Sequence, residues 1–309
     1  LGLDEIAESE GAERRSMRLN ENQVELAHAV SQVNPNVVVL LSAGSAVETG
    51  WVADARSILY CALGGQAGAG AALDVVSGRV NPSGKLAETW PVRYADVASA
   101  ESFPADALAA EYREGLYVGY RYYQTARVPV AYPCGYGLSY TSFSYADLEL
   151  SEWDVSFTLV NDGPRAGTEV AQLYISKPDH AVFRPEQELK GFARVELEAG
   201  QSRRVTIELG DKAFRYFNVR TNQWEVEGGT YELRVAASAD DVRLTGHVEL
   251  SGTGAPDPYE GVDVRPYETA DVAHVDDAHF AALLGHLVPG GAAEIGCNMC
   301  FRDLNHGRS

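Results

Sequence analysis

Basic residues are scarce in this sequence. Lys and Arg number 25 against 44 Asp and Glu over 309 residues, a net charge of −19. A surface of that sign repels a nucleic-acid backbone, whose binding depends on cationic side chains neutralising phosphates, so no nucleic-acid partner is expected. Long apolar runs are missing too. None reaches the roughly 18 residues from which a membrane-spanning helix is read, and no membrane partner is expected. Cysteine is sparse, with four in all, too few for a disulfide framework. Cys61 sits in an apolar run and reads as a buried free thiol, while Cys134 falls in a turn. Cys297 and Cys300 form a CxxC with His306 shortly after. A closed zinc site takes four ligands, so these read as unpaired thiols in a tail, and neither a metal nor a cofactor is expected. No G-x-S-x-G elbow is present, which removes a serine hydrolase of the usual α/β kind. The opening Leu1-Gly2-Leu3-Asp4-Glu5 has no Met, basic cluster or long apolar segment. It reads as the end of a strand entering a loop, not as a signal peptide. With upstream sequence out of view the compartment stays open, leaning to the cytoplasm.

What is present is organised around residues 37–91. Val37-Val38-Val39-Leu40-Leu41 is an unbroken apolar run, as in a parallel strand covered on both faces. Ser57-Ile58-Leu59-Tyr60-Cys61 is a second strand. A small-residue helix from Gln66 to Ser77 follows, with Gly78 placed to end it. The turn Asn81-Pro82-Ser83-Gly84 then leads to a third strand, Lys85–Pro91. This alternation predicts βαβ units with right-handed crossovers. The run Gly65-Gln66-Ala67-Gly68-Ala69-Gly70 is spaced GxxGxG and is followed by no Walker Lys-Ser/Thr. It is read as close packing of a helix start on the sheet. Ahead of this unit, Asn20 and Gln23 form a capping-box pair. The helix that follows is expected to bury Val24, Leu26, Ala27, Val30 and Val33. The charged loop Glu8–Arg15 precedes it, and loops at the carboxyl ends of strands in open α/β sheets build ligand sites.

Asn34-Pro35-Asn36-Val37, Gly64-Gly65-Gln66-Ala67-Gly68 and Asn81-Pro82-Ser83-Gly84-Lys85-Leu86 resemble, in order, motifs of the C-terminal α/β-sandwich domain of family 3 glycoside hydrolases, the β-glucosidase group. The resemblance runs to about Leu250. It implies that Glu10, directly before Gly11, is the general acid/base, with Glu8 the runner-up. The family pattern continues with an aromatic, Asp and Arg, where this chain has Ala12, Glu13 and Arg14. A carboxylic acid can protonate a departing glycosidic oxygen and then act as base toward water. The bland alternative is a solvated acidic loop with Glu10 and Arg14 paired at the surface. The resemblance also implies that the nucleophile is an Asp on a preceding TIM barrel, of which no βα repeats appear here.

Glu111–Tyr123 is rich in tyrosine and reads first as packing at a domain junction, with sugar contact as the alternative. Pro133-Cys134-Gly135-Tyr136-Gly137 matches a family turn that more often has Phe and His at Cys134 and Tyr136. From Tyr145 to Leu250 short alternating segments recur every 8–12 residues or so, as in a β-sandwich, and resemble a fibronectin type III-like domain. His180, on a long loop, reads as ordinary surface. Thr253–Pro258 is a linker, and Asp276 caps a short helix with Phe280, Leu283 and Leu284 on its apolar side.

The expected organisation is therefore α/β plus all-β. Residues 1–144 form a partial α/β sandwich with a mostly parallel sheet, incomplete at its N-terminus. Residues 145–251 form the fibronectin-like sandwich, and 252–309 a linker and C-terminal extension for which a docking or oligomer contact is open. The expected function is hydrolysis of terminal β-linked sugars with retention. The expected partners are a β-linked glycoside and a barrel domain or subunit, and the chain alone is expected to be inactive. Glucose, xylose and arabinose stay open as the sugar. The alternative is a non-catalytic carbohydrate-binding or interaction module of the same fold.

Overall fold

A computed structural model describes residues 1–9, 14, 16–103, 110–151 and 153–288. In the α/β part, α1 (Glu21–Val33) precedes β1 (Val38–Leu41), which pairs in parallel with β2 (Ser57–Tyr60). The chain start joins the same sheet on the other side of β1, through a parallel bridge between Gly2 and Ser42. α2 (Gly68–Val76) ends at Gly78, whose φ of +74° suits a residue without a Cβ. Leu19, Val39, Leu41, Val47, Trp51 and Trp90 form the core here, with Val24, Ile58 and Tyr60 packed against it.

Several expectations change. β1 is not covered on both faces: Val39 and Leu41 are buried, but Val38 is 50% and Leu40 39% exposed. On α1 only Ala27 is fully buried, while Leu26, Val30 and Val33 are exposed. No described element covers this side, so the apolar residues face solvent. Asn20 makes no side-chain cap. Gln23 instead pairs both ways with the Gly2 backbone, accepting from its N–H at 2.8 Å and donating to its carbonyl at 2.9 Å, so a tertiary contact displaces the local cap. Of the Lys85–Pro91 run only β3 (Trp90–Pro91) is a strand. It pairs antiparallel with β4 (Val130–Tyr132), because Leu86 is committed to the glycine turn, its N–H donating to the Tyr136 carbonyl and its own carbonyl accepting from Gly135 N. The glycine run does not pack closely on the sheet either. A Cβ on Gly65, Gly68 or Gly70 would meet open space, and only Gly64 is in close contact, with Gly68.

The sandwich has two sheets. One is ordered β13-β12-β7-β8, from Asp241–Leu250, Gly229–Ser238, Gly167–Ser176 and Glu188–Leu197; the other is β5-β6-β9, from Phe143–Leu150, Asp154–Asn161 and Ser202–Glu208. Period-two alternation drives it. β6 alternates burial residue by residue, and Val155, Phe157 and Leu159 reach complete burial among Leu173, Leu197, Leu233 and Val235. Each such side chain contributes about 1.5–3 kcal/mol. A hairpin of β10 (Arg215–Asn218) and β11 (Gln223–Val226) stands apart, and β11 was not legible as a strand.

The two parts are clamped together. Lys85 forms a 2.9 Å ion pair with Glu169 of β7 and also reaches the carbonyls of Gly137 and Ala237. Gln172 donates to the carbonyls of Gly135 and Ala237. Gly135, at φ +79°, is pressed so close to Gln172 that a Cβ would overlap its amide. The tyrosine segment is junction packing, as expected. α3 (Tyr120–Thr125) buries Tyr122 and Tyr123, and the Tyr120 hydroxyl accepts from Leu189 N at 2.7 Å. Tyr112 is the exception and is exposed.

Past the linker, α4 (Arg265–Glu268) and α5 (Asp277–Leu284) return to the α/β part. Asp276 caps α5 by accepting from His279 N at 2.9 Å. Tyr117 donates to the Tyr267 carbonyl, and Tyr267 donates back to Arg113 O. Phe183, Val264 and Phe280 complete this second core. Cys134 is buried and Cys61 partly so, both as free thiols. Cys297, Cys300 and His306 lie outside the described residues.

Candidate functional site

The carboxyl end of β1 opens into the loop Ser42–Thr49, and side chains from three other stretches converge on its backbone. Its floor is fixed by small apolar residues, with Ala43, Ala46 and Val47 buried. Gly44 N donates to Glu8 Oε1 at 2.7 Å. Arg14 donates through Nη1 to Ser45 Oγ at 3.0 Å and through Nη2 to Ala46 O at 2.8 Å. Its Nε donates to Ser16 O at 3.0 Å. Ala46 N donates to Glu88 Oε1 at 3.0 Å, and Tyr94 N donates to Glu48 Oε1 at 3.1 Å. Tyr94 in turn donates its hydroxyl to Phe103 O. Burial, then the charges of Glu88 and Glu8, raise the Tyr60 phenol above its usual range. The residue therefore stays a neutral hydroxyl at neutral pH beside two carboxylates.

Of the two acids named from the sequence, Glu8 is placed at this loop and lines an open cavity of about 500 Å³ with Glu5, Ile6 and Ser9. Glu10 lies outside the described residues, as do Gly11, Ala12 and Glu13. A second cavity of about 450 Å³ lies between α3 and the β12–β13 turn, lined by Tyr120, Tyr123, Arg127 and Asp240 among others. It shares no residue with the first cavity or with the β1 loop. Sequence reasoning missed Arg14 as an anchor and missed Glu88 and Glu48 as acceptors. Their partners lie dozens of residues away, so no local spacing marks them. Among the described residues no group of three or more His, Cys, Asp or Glu is arranged to hold a metal.

Comparison with known proteins gives a consistent picture. Residues 1–140 match the glycosyl hydrolase family 3 C-terminal domain, and residues 169–239 the fibronectin type III-like domain. The chain is 41% identical over 295 residues to thermostable beta-glucosidase B of Acetivibrio thermocellus, covering 92% of this chain and 38% of that protein. It is 39% identical over 264 residues to an exo-alpha-(1->6)-L-arabinopyranosidase of Bifidobacterium breve, covering 84% of this chain and 35% of that one. The family 3 beta-glucosidase of Bifidobacterium adolescentis superposes with a TM-score of 0.80 at 41% identity, over 82% of this chain and 39% of that one. Beta-glucosidase of Kluyveromyces marxianus, solved in complex with glucose, gives 0.76 at 37% identity, over 81% of this chain and 31% of that one. The chain thus spans under two fifths of the length of these relatives, and no eightfold barrel occurs among its described residues. The α/β sandwich, the fibronectin-like sandwich and the order in which they follow one another place this chain in glycoside hydrolase family 3, where it matches the C-terminal domains.

Proposed function

We propose that this chain supplies the general acid/base of a retaining β-glycosidase, that Glu10 carries it, and that the nucleophile belongs to a barrel domain outside these residues. The observation that carries the reading is the convergence of Glu8 and Arg14 on consecutive residues of the β1 loop. These two bracket Glu10 in sequence, and both reach the carboxyl end of a parallel strand, where ligand sites form in open α/β sheets. Glu8 has Oε1 engaged by the Gly44 N–H, so this side chain is tied to the backbone of the loop. That favours Glu10 over Glu8 as the acid.

Retention needs two carboxylates about 5–5.5 Å apart, one attacking the anomeric carbon and one protonating the leaving oxygen. The second then deprotonates the water that releases the sugar. A chain holding only the acid would bind no covalent intermediate and would be inactive by itself. The reading also accounts for the uncovered apolar side of β1, which the remainder of a larger enzyme would bury. The relatives include β-glucosidases and an arabinopyranosidase, so the sugar is left open between a hexose and a pentose.

The test is release of nitrophenol from aryl β-glycosides by this chain, by the chain with a barrel-bearing partner, and by a Glu10→Gln version of the pair. Activity is expected only with the partner and is expected to fall about 100- to 10,000-fold with Glu10→Gln. Turnover by the chain alone, or full activity of Glu10→Gln, would refute the assignment.

A further inference from the structure

We propose that the cavity of about 450 Å³ between the α/β part and the sandwich binds a sugar of pyranose size, with Arg127 and Asp240 as its polar contacts. This holds whether or not Glu10 is the acid. The cavity lies between α3 and the turn Ala239-Asp240 that joins β12 to β13. Domain junctions are where ligand pockets concentrate, and a volume of about 300–1,000 Å³ suits a small molecule. Val128, Pro129 and Pro133 give apolar wall beside Tyr120 and Tyr123, and Thr89, Gln124, Arg127 and Asp240 give the polar lining.

Arg127 stands out by its backbone. α3 closes in a Schellman motif, in which Val128 N donates to Tyr123 O at 2.9 Å and Arg127 N to Gln124 O at 3.3 Å. The residue that this motif puts in the left-handed region is usually glycine, yet here it is Arg127, at φ +55°. Of the five non-glycine residues with positive φ among those described, Arg127 alone lines either cavity. A side chain kept at a cavity despite an unfavourable backbone conformation argues for a use there. Its guanidinium has no hydrogen-bond or ion-pair partner among the described residues. The opposite wall is fixed. Gln124 Nε2 donates to Ala239 O at 2.7 Å and to Asp240 Oδ1 at 2.8 Å, and Gln187 Nε2 donates to Ala239 O at 2.8 Å. Asp240 thus has one oxygen committed to the turn, while Oδ2 has no partner among the described residues. One cation and one anion leave the lining without net charge, which selects against a phosphate or carboxylate ligand. A neutral ring bearing hydroxyls fits instead. Its hydroxyls accept from Arg127 and donate to Asp240, and its C–H faces pack on tyrosine and proline.

The test is calorimetric titration of this chain with glucose and with xylose. Sorbitol serves as the control without a ring and inorganic phosphate as the control anion, and a thermal midpoint is measured for every variant. Saturable one-site binding of a pyranose is expected, with neither control competing. Asp240→Asn keeps the acceptor for Gln124 and alters only the other oxygen. It and Arg127→Ala are each expected to weaken sugar binding by about 10-fold or more. Arg127→Gly removes the contact and the backbone strain together. It should weaken binding as much while raising Tm by about 2 °C, and opposite movements of affinity and stability exclude a loss of fold as the cause. Absence of saturable sugar binding would overturn the proposal, as would binding that Asp240→Asn and Arg127→Gly leave unchanged. Equally tight binding of sorbitol would remove the ring from the recognition and overturn it too. Phosphate binding that Arg127→Gly abolishes would make this an anion site, against the proposal. An Arg127→Gly variant that loses both sugar and thermal midpoint would make Arg127 structural, which also overturns it.

Discussion

Lys85 and Glu169 show how much a single pair carries at a domain junction. Both side chains are largely withdrawn from water, at 14% and 9% exposure, and Glu169 Oε1 also accepts from Val170 N. Removing one partner leaves the other charge buried and uncompensated, which costs about 3–5 kcal/mol. Lys85→Met alone should therefore destabilise by that amount, and Lys85→Met with Glu169→Leu should recover most of it. Urea midpoints of the two singles and the double close the cycle, and additive losses would contradict the argument. Local sequence does not reveal this pair, because Glu169 is many positions away from Lys85, on a sandwich strand that reads as simple alternation. The same limit applies to Arg14. Its neighbours mark a charged loop, and the family pattern marks Glu10, yet nothing local says that the guanidinium travels to Ser45 and Ala46.

At the scale of the element, the sandwich strands were largely readable and the α/β elements less so, for one reason. A sandwich strand has its two environments inside this chain, so alternation in the sequence equals alternation in burial, as β6 shows. β1 reads as uniformly apolar because its sequence anticipates cover on both sides, and only one side is covered by described residues. Val38→Thr with Leu40→Thr should accordingly change the stability of this chain by less than about 1 kcal/mol. Val39→Thr with Leu41→Thr should cost about 3 kcal/mol or more, since each buries a hydroxyl in place of a packed methyl. Chemical denaturation distinguishes the two pairs, and comparable losses would show that both faces are packed. The α5 cap carries a pH dependence. The guanidinium of Arg265 holds the Asp263 carboxyl at about 2, below its ordinary 3.8, and the His279 N–H lowers Asp276. A depressed carboxylate stabilises in full above its ordinary value and loses that contribution as pH falls through the folded one. The amides of α5 should therefore exchange faster between about pH 4 and about pH 2, ahead of the sandwich core. Unchanged protection over that window would remove these carboxylates from the docking of α5.

At the scale of the whole molecule, the α/β part and the sandwich do not behave as beads on a string. Lys85 with Glu169, Gln172 with Gly135, the Tyr120 hydroxyl with Leu189 N and Gln124 with Ala239 O all cross between them. Calorimetry should show their unfolding as one cooperative transition, and a resolved early melting of the α/β part would contradict this. The return of the last helices has a consequence for biosynthesis. Tyr117 and Tyr122 belong to a core completed by Val264, Tyr267 and Phe280, which a ribosome adds about 150 residues after Tyr117. The sandwich between them has its own core and can fold as it emerges. The second half of the α/β part must wait, its tyrosines without their partners, until the chain has been made almost to α5. A nascent chain stalled before Val264 should therefore hold a finished sandwich beside an unfinished neighbour, and it is in that interval that a chaperone would find it.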